Sequence, residues 1–215
     1  MARLVAFLCM IALAALILAG ASTAAASLFR FPANEEFEIT SRPDGAGKKA
    51  HHLLATYGLG YITCAGLSVQ GSATGEEVAQ LTLEAVYSEC EATVSGPFSF
   101  QMGGCAYRFD ANGTFAIVDS PGNSCATEPI TVGDGACLTS FGPQEHEGAV
   151  SYANLFGGPV TEITLSLAFE EFSGEQEGLF CEKGSFADAS YFTGSVILKA
   201  AKALNPSEAV NLSWE

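Results

Sequence analysis

The sequence predicts an all-β fold: a disulfide-bonded antiparallel β-sandwich or barrel with little helix. Three observations carry that expectation. Apolar and polar residues alternate with period two through much of the chain, glycine- and proline-rich turns separate the alternating runs, and six cysteines remain once an N-terminal leader is set aside.

The leader comes first. Arg3 supplies a positive start, Leu4 to Ala19 is an unbroken apolar run, and Gly20-Ala21-Ser22-Thr23-Ala24-Ala25-Ala26 supplies small residues. That order is the pattern of a cleavable secretory signal over residues 1–26. The expected cut follows Ala26, with Ala24 and Ala26 as the small residues the peptidase reads; a cut after Ala24 is the second choice. The competing reading is an uncleaved anchor, but a membrane-spanning helix usually needs roughly 20 apolar residues. Leu18-Ala19-Gly20 begins a lipoprotein box, yet Ala21 stands where the lipidated cysteine would be. The C-terminal Asn211-Leu212-Ser213-Trp214-Glu215 has neither a hydrophobic tail nor a sorting motif. The expected product is therefore residues 27–215, secreted, extracellular and without a membrane anchor.

Within that product a strand is expected near Phe37–Ile39 and another beginning near His51, joined by the polar loop Asp44-Gly45-Ala46-Gly47-Lys48-Lys49. Leu81, Leu83, Ala85 and Tyr87 recur at every second position. Phe98, Phe100 and Met102 do the same, then Cys105, Tyr107 and Phe109, then Phe115 and Ile117. The clearest run places Ile163, Leu165, Leu167 and Phe169 on one face and Glu162, Thr164, Ser166 and Glu170 on the other. Successive side chains of a strand point to opposite faces, so each run gives a sheet one dry and one wet surface. Ala111-Asn112-Gly113, Ser120-Pro121-Gly122-Asn123, Gly133-Asp134-Gly135 and Gly157-Gly158-Pro159 read as turns. Two short helices are expected, Lys199–Leu204 and Pro206–Val210, the second with Asn205 as cap and Pro206 at its first position. Cys64-Ala65-Gly66 and Cys181-Glu182-Lys183-Gly184 each precede a run reaching Gly-Ser, at Gly71-Ser72 and Gly194-Ser195. This hints at related halves, so one domain and two packed β subdomains both stay open. Trp214 is either a strand closing the fold or part of a loose tail.

Cys9 leaves with the leader, and Cys64, Cys90, Cys105, Cys125, Cys137 and Cys181 remain. An even number in an exported chain reads as three disulfides. The midpoint of Cys64 and Cys90 falls in the polar stretch ending at Glu77, and that of Cys105 and Cys125 falls beside Asn112-Gly113. Both pairs would then bridge neighbouring strands, leaving Cys137 with Cys181.

The whole chain carries 24 acidic and 9 basic residues, a formal charge of −15. All the acids lie beyond the leader. Such a charge excludes nucleic acid as a partner, because phosphate binding requires Lys and Arg. Its plainest role is solubility outside the cell, with Ca²⁺ or a basic partner as the sharper reading. No zinc site is expected: there is no Cys-x-x-Cys, and His51, His52 and His146 fit no ligand spacing.

No catalytic set emerges. Gly66-Leu67-Ser68-Val69-Gln70 breaks the nucleophile-elbow pattern at its last position. Asp119-Ser120-Pro121-Gly122 has proline where chymotrypsin-like proteases have the glycine after their nucleophile, and His51-His52 lacks their histidine context. Glu170-Glu171 and Glu175 with Glu177 are carboxylate pairs of the kind glycoside hydrolysis needs, but Glu170 and Glu171 point apart and the Gly174 region reads as an acidic turn. Glu35-Glu36 is similar. Asp110-Ala111-Asn112-Gly113-Thr114 lacks the regular acidic positions of a calcium loop and reads as a hairpin. Gly45-Ala46-Gly47-Lys48-Lys49 is too short for a phosphate loop. Asn112 and Asn211 open glycosylation sequons, relevant in a eukaryotic host.

Tyr61-Ile62-Thr63-Cys64, Leu83-Glu84-Ala85-Val86-Tyr87-Ser88-Glu89-Cys90 and Met102-Gly103-Gly104-Cys105-Ala106-Tyr107-Arg108-Phe109, followed by Ser151-Tyr152-Ala153-Asn154 and Tyr191-Phe192-Thr193-Gly194-Ser195, give the chain a recognisable order. It resembles a group of secreted, cysteine-bearing β proteins of high-GC soil actinobacteria. Gly-Cys-x-Tyr-x-Phe is the most specific part of the likeness, and the acidic balance departs from it. The resemblance implies an exported bacterial protein and carries no catalytic residues.

The expected function is a non-enzymatic extracellular binding or structural module without cofactor, its partner an extracellular protein or glycan. The alternative is a secreted hydrolase whose carboxylates converge from distant strands. A third reading is a protease inhibitor presenting the loop from Gly133 to Cys137.

Overall fold

The computed structural model describes residues 26–42, 52–56, 60–92, 96–133, 137–171, 173–179, 183–186 and 191–215. Among them there is no helix; the chain is strand, turn and bend. In chain order the strands begin with β1 (Phe29–Arg30), β2 (Glu36–Arg42), β3 (His52–Thr56), β4 (Gly60–Thr74), β5 (Glu77–Val78) and β6 (Gln80–Ala92). There follow β7 (Gly96–Gln101), β8 (Cys105–Asp110), β9 (Phe115–Asp119), β10 (Ile130–Gly133), β11 (Cys137–Phe141), β12 (Gln144–His146) and β13 (Val150–Leu155). The last are β14 (Glu162–Glu170), β15 (Gly174–Gly178), β16 (Gly184–Phe186), β17 (Tyr191–Lys202), β18 (Asn205–Val210) and β19 (Ser213–Trp214). The fold is all-β and disulfide-bonded, with one sheet of sixteen strands and one of three among the described residues.

Three lanes of the large sheet are shared end to end by two strands. β2 and β3 both lie between β4 and β17 and run antiparallel to each. β14 and β18 share the lane on the other side of β17. β7 and β8 share the lane beside β6, where β7 pairs with Cys90–Ala92 and β8 with Gln80–Leu83. The sheet therefore forks at β6. One branch continues through β8, β9 and β12; the other runs from β7 through β10, β11 and β15 to β16.

Alternation explains how the large sheet closes on a core. Val69, Leu83, Tyr87, Tyr107 and Phe109 from β4, β6 and β8 face Leu165, Leu167, Val196 and Leu198 from β14 and β17, leaving a void of about 20 Å³, room for one water at most. Burying each Leu or Phe contributes roughly 1.5–3 kcal/mol. One end is closed by the small sheet, where Phe29 pairs with Trp214 and Val78. Phe29 is fully buried edge-on against Tyr152, and Trp214 Nε1–H donates to Ala111 O at 2.8 Å. Trp214 is thus a strand residue that closes the fold.

The fork depends on two glycines. Gly103 has φ +58°, and a Cβ there would lie 2.4 Å from Glu128 O; at Gly104 a Cβ would lie 2.8 Å from Ser124 O. Their bareness lets the loop over residues 120–129 lie directly on the backbone, with Gly104 N–H donating to Glu128 O at 2.7 Å and Ser120 N–H to Gly104 O at 2.8 Å. The Cys105–Cys125 disulfide and a 2.7 Å bond from Cys125 N–H to Asp119 Oδ1 hold the loop there. Cys125 lies in this loop, so its disulfide ties strand to loop rather than strand to strand. Cys64 and Cys90 are direct partners on neighbouring β4 and β6. Cys137 is disulfide-bonded; Cys181 lies outside the described residues.

Three expectations are corrected. Neither Lys199–Leu204 nor Pro206–Val210 is a helix. The first is the end of β17 and a turn, because Leu198 and Ala200 continue the buried alternation and the strand is hydrogen-bonded on both edges, to β2 and to β18. So short a helix has little stability of its own, and ladder bonds prevail. The second is β18, and Pro206 falls in the irregularity between the pairs Ala201–Ala209 and Lys202–Asn205, where no ladder N–H is demanded of it. The segment from Gly174 to Gly178, expected as an acidic turn, is β15, an inner strand of its branch between β11 and β16. Residues 1–25, the loop Asp44–Lys49, His51 and the tip over residues 134–136 lie outside the described residues.

Candidate binding trough

The longer branch brings together polar residues that lie far apart in sequence. Residues directly opposite in an antiparallel pair share a face, and here Gln101 lies opposite Thr131, Thr131 opposite Ser140, Ser140 opposite Glu175 and Glu175 opposite Ser185. One amide, three hydroxyls and one carboxylate thus form a row across five strands. The other face of β11 carries the buried Cys137, Thr139 and Phe141, so the polar row faces outward.

Two hollows meet over the part of this row formed by Ser140, Glu175 and Ser185. The larger, about 610 Å³, reaches toward Pro129, Pro143, Gln144 and Ser173. The smaller, about 250 Å³, reaches toward Glu177 and Lys183. Ser140, Glu175 and Ser185 line both and form the saddle between them. Ser173, Glu175 and Glu177 alternate along the strand, so from first to last they span about 14 Å.

Gln144 shapes the wall of the larger hollow. Its Oε1 accepts from Ser173 N–H at 3.1 Å and from Ser173 Oγ–H at 3.3 Å, and its Nε2 donates to Ser173 O at 3.1 Å. The side-chain amide thereby does for Ser173 what a neighbouring strand would do, satisfying both its backbone groups. Behind it, His146 Nε2 lies 3.2 Å from Gln144 Oε1, and the His146 ring stacks on Phe169 at 4.3 Å. Burial lowers the His146 pKa from its ordinary value, with Glu171 pulling the other way.

Other perturbed groups belong to the frame. Tyr87 and Tyr107 share a buried contact at 3.1 Å between hydroxyls, and burial pushes both phenols well above their usual range. Burial also raises Tyr152, whose hydroxyl donates to Asp110 O at 2.8 Å. Arg108 holds Asp110 at 2.9 Å and Glu145 at 2.5 Å; burial disfavours its charge, but the two carboxylates together raise its pKa.

The residues singled out in the sequence are dispersed. Ser68 lies within the regular strand β4, and the Ser120 hydroxyl is buried in its turn, accepting from Asn123 Nδ2 at 3.1 Å. Asp110 to Thr114 is a hairpin, with Thr114 N–H donating to Asn112 Oδ1 at 3.0 Å and the Asp110 carboxylate held by Arg108. Glu170 ends β14 and Glu171 follows with φ +69°, so they do not form a pair on one face. Glu175 and Glu177 do share a face, the face of the trough. Among the described residues no group of three His, Cys, Asp or Glu could hold a metal ion, and no helix is long and apolar enough to cross a membrane. Comparison of the chain with protein-family models, curated proteins and solved structures finds no match.

Proposed function

We propose that the chain is an exported, non-enzymatic extracellular binding module and that the trough on β11, β15 and β16 is its ligand face. The observation that carries this reading is the outward polar row lying at the junction of two hollows. Binding sites are concave surfaces with a few convergent polar groups, and this concavity has them on paired strands, which position side chains more firmly than loops do.

The hydrolase reading would have to use Glu175 and Glu177. General-acid catalysis of glycoside cleavage needs a carboxyl kept protonated by an apolar or like-charged setting. Both carboxylates are exposed, and Glu177 has Lys183 Nζ at 4.0 Å. Binding is the better match to such groups.

The test has two arms. Expressed with its own leader, the secreted protein should have an intact mass beginning at Ser27 with no lipid; a retained leader would refute export with cleavage. The purified protein should then give a reproducible pattern on an array of extracellular glycans and proteins, lost on Ser185→Trp, which fills the saddle. Turnover of a polysaccharide or peptide substrate, abolished by Glu175→Gln or Glu177→Gln, would establish the hydrolase instead.

A further inference from the structure

We infer that the ligand is a linear, uncharged, hydroxyl-rich chain, a neutral oligosaccharide or polysaccharide, lying along β15 so that it fills both hollows and crosses the saddle at Glu175. The inference rests on the trough being the ligand face and adds the class, shape and direction of what lies in it.

Shape is the first ground. The hollows share Ser140, Glu175 and Ser185 but are otherwise bounded by different residues, Gln144 and Ser173 at one end and Glu177 and Lys183 at the other. A compact ligand would satisfy one hollow and leave the other to water. A chain of repeating polar units satisfies both, and the floor of about 14 Å accommodates several sugar rings.

Chemistry is the second ground. The hydroxyls of Ser140 and Ser185 can each donate and accept, matching ligand hydroxyls that do the same, and the Ser173 hydroxyl, whose proton goes to Gln144 Oε1, accepts. The Glu175 carboxylate accepts only, and the paired hydroxyls of a sugar ring offer two donors to its two oxygens in charge-assisted bonds. Centred on the saddle, it can serve units on either side.

Charge and the described lining favour such a chain over its rivals. An anionic chain would meet Glu175, Glu177 and a protein of formal charge −15, with Lys183 already beside Glu177. Protein partners are anchored by aromatic, Met or Arg side chains filling dry pockets; among the described residues lining the hollows there are none.

The discriminating residue is Glu177, which lines the smaller hollow alone. The probes are size series of cello-, xylo-, manno- and laminari-oligosaccharides from mono- to hexasaccharide, with oligogalacturonides as the anionic control. They are titrated into the mature protein, with binding followed by calorimetry and by backbone NMR. At least one neutral series should gain affinity with length until the chain spans both hollows, then level off. Glu175→Ala should weaken it about tenfold or more throughout. Glu177→Gln should reduce the gain on lengthening, costing the long members more than the short ones, a pattern that misfolding would not produce. Absence of binding by every neutral series, preference for the anionic series, or trough binding without length dependence would overturn the inference. In the last case the trough remains the ligand face; a ligand whose shifts map elsewhere on the protein would sink both readings.

Discussion

Gly104→Ala isolates the close approach on which the fork depends. A Cβ at this position would lie 2.8 Å from Ser124 O, 2.9 Å from Ser124 C and 3.1 Å from Ser124 N. All three are backbone atoms of a loop tied down at Cys125 by a disulfide, so no side chain can swing aside. The loop must shift, stretching the 2.7 Å bond from Gly104 to Glu128 and the 2.8 Å bond from Ser120 to Gly104. Overpacking typically costs about 1–3 kcal/mol, and each weakened buried bond adds up to about 1 kcal/mol. The expected loss is about 2–4 kcal/mol, which at a urea m-value of roughly 2–3 kcal/mol/M lowers the midpoint by about 1 M. Gly122→Ala is the control: Gly122 has φ +80° but nothing within 4 Å of its added Cβ, so it tests conformation without collision and should cost about 1–2 kcal/mol. Unfolding is followed under non-reducing conditions by fluorescence of Trp214, the chain's one tryptophan. A Gly104→Ala midpoint equal to wild type, or a smaller fall than that of Gly122→Ala, would refute the argument.

Two further outcomes are expected. Burial lowers the folded-state His146 pKa below its ordinary 6.5, so the stability this residue contributes is complete above pH 6.5 and is lost as pH falls toward the folded value; His146→Gln should flatten the urea-midpoint profile across that window, and an unchanged profile would reject the assignment. The Thr139 hydroxyl is fully buried without a hydrogen-bond partner among the described residues, so Thr139→Val should be neutral or stabilising by up to about 1–2 kcal/mol. A lower melting temperature for Thr139→Val would show that the hydroxyl is satisfied.

What was legible in the sequence follows from how far each determinant reaches. Alternation is local, so β6, β8, β9 and β14 could be read from runs such as Leu81-Leu83-Ala85-Tyr87 and Ile163-Leu165-Leu167-Phe169, and their buried faces are those residues. The hairpin at Asn112-Gly113 was likewise local. Lys199 to Val210 misled because lysine, alanine and leucine favour helix, and proline with an asparagine before it imitates a helix start; the segment instead folds back on itself as β17 and β18, and the β2 edge that also holds β17 lies far away in the chain. β15 was hidden for the opposite reason. Gly174-Glu175-Gln176-Glu177-Gly178 has no apolar face, and its one buried side chain is Gln176, whose Nε2 lies 3.1 Å from Cys137 Sγ. A strand that buries an amide against sulfur leaves no hydrophobic pattern to detect. The trough was illegible on both counts, because its row is defined by register. Thr131, Ser140, Glu175 and Ser185 are unremarkable apart, and a slip of one residue in any pairing would turn part of the row inward. The register of β10 on β11 is in turn limited by Gly133, where a Cβ would lie 2.2 Å from Cys137 O, so the chemistry of the outer face depends on the bareness of a residue that contributes no chemical group.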